Sequence, residues 1–172
     1  MKIIHCADLH LDSKMNAHLS KEQAKERKGE LLQTFSHMID IAAAEGVKAI
    51  LIAGDMFDTR NISATARNHV IKAIEDNSDI LFYYLKGNHD SDNFLSSMES
   101  IPDNLKLFSD SWTSYELGNV VISGLELCGE NSLSAYSSLV LNEAKINIVM
   151  LHGQESESDS KDKAEIINIK GL

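Results

Sequence analysis

Four short apolar runs, rich in β-branched and aromatic residues, punctuate the chain: Ile3 with Ile4, then residues 49–53, 80–85 and 146–151. Runs of this length and composition predict buried strands. Between the first two lies a 3.6-residue pattern that puts Leu31, Leu32, Phe35, Met38, Ile39 and Ala42 on one face, which predicts an amphipathic helix. Ser20 followed three residues later by Gln23 has the spacing of a capping box at its start, and Gly46 supplies a stop. A second helix is predicted to begin after Ser63, turn Val70, Ile71 and Ile74 inward, and end near Asn77.

Strand, helix, strand, helix, strand implies an α/β fold with parallel strands and a helix-covered sheet. Beyond residue 105 the runs shorten. Gly118 and Asn119, between Tyr115-Glu116-Leu117 and Val120-Val121-Ile122, predict a hairpin turn and a second sheet. A helix is expected over 134–141, and the serine-rich stretch 155–163 reads as a flexible loop. Internal repeats are absent.

Composition changes this picture little. With 172 residues, 43% hydrophobic and 24% charged, the chain suits one globular domain spanning residues 1–172. No signal-peptide or membrane-length apolar run occurs, so a soluble cytoplasmic protein is expected. Cys6 and Cys128 are the two cysteines, too few and too separated for a disulfide framework or thiolate metal site. The net charge of −10 opposes long-range attraction to a phosphate backbone. Bound divalent cations would reverse the field locally.

Chemistry enters at the downstream ends of the apolar runs, where open α/β sheets bind ligands. The first run leads to Asp8-Leu9-His10, the second to Gly54-Asp55-Met56-Phe57-Asp58, the third to Gly87-Asn88-His89-Asp90, and the fourth to His152-Gly153. Parallel strands would bring these ends together, so Asp8, His10, Asp55, Asn88 and His152 are the expected metal ligands. Carboxylate, imidazole and amide without sulfur suit Mn²⁺, Fe or Zn²⁺. Two metals need a bridge, a role assigned to Asp55. Such a pair acidifies water and clamps the oxygens of an in-line phosphoryl displacement. His89 is expected to protonate the leaving alkoxide and Asp58 to orient that imidazole. Arg60 is the expected phosphate contact, because a guanidinium holds two oxygens at once.

Gly54, Gly87 and Gly153 fit tight turns between strand and ligand. His18, His37 and His69 are read as solvated or capped, and Asp12 as the end of a loop. Phe82, Tyr83 and Tyr84 are assigned to the core rather than to base stacking. Lys14, Lys21, Lys25, Arg27 and Lys28 interleave with Glu22, Glu26 and Glu30, the pattern of a solvated helix face.

In order and approximate spacing, the four clusters resemble the calcineurin-like metallophosphoesterase superfamily, and the opening Ala7-Asp8-Leu9-His10-Leu11-Asp12-Ser13 is similar to its DNA repair exonuclease (SbcD-like) branch. The resemblance implies an α/β/β/α sandwich of two mixed sheets flanked by helices. It places Asp8 and His10 on one metal and Asn88 and His152 on the other, with Asp55 between them. It also implies His89 as proton donor paired with Asp58, and Mn²⁺ as the usual ion. DNA is the implied substrate and an SMC-type ATPase the implied partner, with a homodimer expected of the full-length protein. The superfamily's Gly-His-x-His motif does not occur before Leu172, so the domain is expected to be incomplete at its C-terminal end. Two other functions compete with the nuclease: hydrolysis of a small nucleotide or phosphoprotein ester, and a non-catalytic scaffold or interaction module.

Overall fold

The computed structural model describes residues 1–14, 18–58, 62–132, 134–155 and 166–167. The chain divides into two compact units, Met1–Lys106 and Leu107–Leu172. The first begins with β1 (Ile3–Cys6), α1 (Lys21–Ala44), β2 (Ala49–Ala53), α2 (Ala64–Glu75) and β3 (Leu81–Leu85), followed by β4 (Leu105–Leu107). These four strands form one sheet in the order β1-β2-β3-β4. β1 pairs in parallel with β2, Ile3 opposite Ala49, and β2 with β3, Ala49 opposite Leu81. The predicted alternation is therefore present.

β2 is buried along its whole length, and Phe82, Tyr83, Tyr84 and Leu85 are buried on β3. Helices supply the covering apolar faces. Phe35, Ile39 and Ala42 are buried on α1, and Ala66, Val70 and Ile74 on α2. Burying side chains of Phe and Ile size stabilises by ~1.5–3 kcal/mol each. Ser20 caps α1 with both arms of the capping box, and Gly46 leaves it at φ 65°. His69 binds the two helices to each other, its Nε2 lying 2.7 Å from Ser36 Oγ and 3.1 Å from the Leu32 carbonyl.

In the second unit, β5 (Thr113–Leu117), β6 (Val120–Gly124) and β7 (Ile146–Met150) form a mixed sheet in the order β5-β6-β7. β5 and β6 are antiparallel and meet at Leu117 opposite Val120, with Gly118 in the turn at φ 60°. β6 and β7 are parallel. β8 (Gln154–Glu155) and β9 (Ile166–Ile167) pair in parallel. Glu155 is therefore the last residue of β8, while the rest of the expected 155–163 loop lies outside the described residues.

The helix expected over 134–141 is instead a set of turns over 134–138 followed by irregular backbone. Ser137 and Ser138 both donate their hydroxyls to the Ser134 carbonyl. Serines that bond local backbone offer an alternative to helix formation. Val140 and Leu141, at its end, are exposed.

Candidate metal centre

Just past β1 the backbone keeps its partner. Asp8 N–H donates to the Gly54 carbonyl at 3.1 Å, His10 N–H to that of Asp55 at 3.0 Å, and Leu11 N–H to that of Met56 at 2.9 Å. A parallel bridge between Leu11 and Phe57 closes the series. Along these two segments Asp8, His10, Asp12 and Asp55 have φ of 54°, 44°, 63° and 51°. Left-handed backbone costs a non-glycine residue ~1 kcal/mol or more and persists where surrounding structure imposes it. Three of these four residues are expected ligands.

The result is a cluster. His10 Nε2 stands 3.9 Å from Asp8 Oδ1 and 4.0 Å from Asp55 Oδ2. Two donors each ~2.1 Å from one cation lie no more than ~4.2 Å apart, so these spacings fit shared coordination. Asp55 is buried, and its second oxygen, Oδ1, accepts the His89 amide at 3.0 Å. Burying a carboxylate without compensation is costly. A buried carboxylate facing both an imidazole and a second carboxylate is a donor set that fits a divalent cation. Asn88, exposed on the same β3 loop, lies between Gly87 and His89.

Asp58 sits between two imidazoles, with Oδ1 3.3 Å from His10 Nδ1 and 3.2 Å from His89 Nδ1. The contact to His10 is an ion-pair approach without hydrogen-bond geometry, so that buried Nδ1 has no hydrogen-bond partner. Ser13 Oγ donates to Asp58 Oδ2 at 2.8 Å. This hydroxyl, and after it the neighbouring imidazoles, outweigh desolvation and hold the Asp58 carboxyl below its usual range.

Two residues prove to be structural anchors. Asp90 accepts from Met56 N–H (3.2 Å), Phe57 N–H (2.9 Å) and Gly87 N–H (3.0 Å), joining the loop after β2 to the loop after β3. Asp12, expected only to end a loop, receives Lys28 Nζ at 3.1 Å on Oδ1 and the Ser63 amide at 2.7 Å on Oδ2. It thereby ties the β1 loop to α1 and to the cap of α2, and Lys28 leaves the solvated face on which it was expected. A carboxylate beside a ligand motif is the sequence signal for both, although it does not name their partners.

Burial pushes the Cys6 thiol up to about 11, in keeping with a core residue rather than a thiolate ligand. His18 and His37 are exposed, as expected. His152 follows β7 in the second unit, half-buried two residues beyond the strand. Arg60 lies outside the described residues.

Parallel strands whose ends gather carboxylates and imidazoles at a cation-sized spacing fit the class of metal-binding α/β domains. The calcineurin-like phosphoesterase pattern matches residues 1–171, and the chain belongs to that family. It is 31% identical over 176 residues to the uncharacterized metallophosphoesterase YhaO of Bacillus subtilis, covering 94% of this chain and 43% of that protein. To the DNA double-strand break repair protein Mre11 of Sulfolobus acidocaldarius it is 29% identical over 164 residues, covering 88% of this chain and 41% of the relative. To the SbcD component of the SbcCD nuclease of Bacillus subtilis it is 26% identical over 147 residues, covering 83% of this chain and 36% of the relative. The chain thus spans about two-fifths of the length of these curated relatives. Similarity to Mre11 and SbcD supports the DNA repair nuclease branch.

Proposed function

We propose that this chain carries the catalytic centre of a two-metal nuclease that hydrolyses phosphodiester bonds in DNA. The supporting observation is His10 Nε2 facing both Asp8 and Asp55 at 3.9 and 4.0 Å, within a family defined by phosphoester hydrolysis. Asp8 and His10 would hold one ion, Asn88 and His152 the other, and Asp55 both. Manganese is the proposed ion, as the oxygen-rich share of this donor set suits it. When bound, the cations acidify water and neutralise charge on the phosphoryl oxygens.

The protein's own groups do the rest. His89, nearly half exposed, is reachable by a substrate and is the proposed donor of a proton to the departing alkoxide. Asp58, with Oδ1 3.2 Å from Nδ1, is the proposed orienting partner of that ring. Arg60 is the proposed phosphate contact. From the resemblance to the SbcD-like branch, an SMC-type ATPase is the proposed partner, and a homodimer acting in the cytoplasm the proposed assembly. Among the described residues no helix is long and apolar enough to cross a membrane.

The test is Mn²⁺-dependent degradation of linear duplex DNA beside hydrolysis of a small phosphodiester. Asp55→Asn is expected to lower turnover by ~10²-fold or more, as for loss of a group acting in the transition state. Turnover of the small ester with DNA left intact would favour the second reading, a small-phosphoester hydrolase, for which the net charge of −10 speaks.

A further inference from the structure

The cluster around Asp58 includes one donor, His10 Nδ1, that the catalytic assignment leaves unused. His10, Asp58 and His89 each offer a ligand atom, and these atoms lie within 4.8 Å of one another. Around a tetrahedral ion with bonds of ~2.0–2.1 Å, neighbouring donors stand ~3.3 Å apart. The two Asp58 contacts, 3.3 and 3.2 Å, match that edge. Ser13 fixes the carboxylate from behind, the outer-shell support that metal-binding carboxylates commonly have. The His10 nitrogen is buried without a hydrogen bond, and the His89 ring stands edge-on to the His10 ring with centroids 5.3 Å apart.

We propose that His10 Nδ1, Asp58 Oδ1 and His89 Nδ1 form an inhibitory Zn²⁺ site that excludes the catalytic cations by competing for His10. The inference rests on the metal-dependent reading above, because it needs His10 Nε2 to be a catalytic ligand. Two imidazoles and one carboxylate favour zinc over manganese, whose affinity for nitrogen donors is lower. A neutral imidazole has one lone pair for a metal. Zinc at Nδ1 leaves the proton on Nε2, where it points at Asp8 and Asp55 and ends ligation from that side. It also occupies His89 and Asp58, removing the proton donor together with its orienting partner. A fourth position stays open for water, so the ion is exchangeable.

The experiment titrates the ¹⁵N-histidine-labelled chain with Zn²⁺ alone and reads the ring nitrogens by long-range proton–nitrogen correlation, with calorimetry for affinity. Metal-type shifts are expected at Nδ1 of His10 and His89, with Nε2 protonated. Affinity is expected to fall by about tenfold or more in Asp58→Asn and again in His89→Ala, whose position is solvent-accessible. In turnover assays Zn²⁺ is expected to inhibit competitively with Mn²⁺. Zinc bound through His10 Nε2, affinity unchanged in both variants, or no zinc uptake would overturn the site. None of these touches the hydrolase reading, which falls separately if Mn²⁺ supports no turnover or Asp55→Asn leaves it intact.

Discussion

At Gly87 the absence of a side chain is what permits Asp55 to sit where it does. A Cβ there would lie 2.2 Å from Asp55 Oδ1 and 2.6 Å from the Asp55 amide nitrogen. Its glycine serves close approach rather than a turn, whereas Gly54, at φ 88°, does need the left-handed region. Gly87→Ala must therefore displace either the buried carboxylate or the β3 loop. A destabilisation of ~1–3 kcal/mol is expected from such overpacking, read as a lower midpoint in denaturant, together with weakened Mn²⁺ binding by calorimetry. Unchanged Mn²⁺ affinity would show that the contact does not set the ligand. The residue types at this site were legible in sequence, since Asp8, His10, Asp55, Asn88 and His89 stand at strand ends. Their anchors were not. Asp90 and Asp12 act through backbone amides of Met56, Phe57, Gly87 and Ser63, and an amide looks the same in every sequence.

Among the elements, those with strong local signals formed where periodicity put them. α1 combines a repeating apolar face with a complete cap: Ser20 Oγ accepts the Gln23 amide at 3.2 Å, and Gln23 Oε1 accepts the Ser20 amide at 2.9 Å. Ser20→Ala is expected to cost about 1 kcal/mol, checked by equilibrium denaturation. The cap lies at the exposed start of the helix, so Mn²⁺ affinity should stay unchanged in the same variant. The segment 134–141 failed as a helix because its serines satisfy backbone carbonyls locally, and beyond the buried Ala135 its apolar residues Val140 and Leu141 are exposed. The pairing of β8 with β9 also escaped the sequence reading, as two-residue strands leave no measurable periodicity.

For the molecule as a whole, a net charge of −10 and a cluster of carboxylates at the strand ends both disfavour DNA until cations bind. Under the nuclease reading, duplex affinity measured by fluorescence anisotropy with Asp55→Asn, which suppresses cleavage, should be weak and nearly salt-independent in chelator. With wild-type chain and a non-hydrolysable phosphorothioate duplex, it should rise on adding Mn²⁺. A steep salt dependence in chelator would instead reveal a basic surface that acts without metal. What the sequence determined alone was the alternation of strand and helix, the cap and stop of α1, the hairpin at Gly118 and the residue types offered at each strand end, because these follow from local periodicity and backbone preference. Only tertiary structure decided that His10 faces Asp8 and Asp55, that Asp58 lies between two imidazoles, and that Asp12 and Asp90 anchor the loops. Most such contacts join residues far apart in sequence, as with Met56 and Asp90, 34 positions apart, and Ser63 and Asp12, 51 apart, and their distances are set by parallel pairing and left-handed backbone that no local pattern encodes.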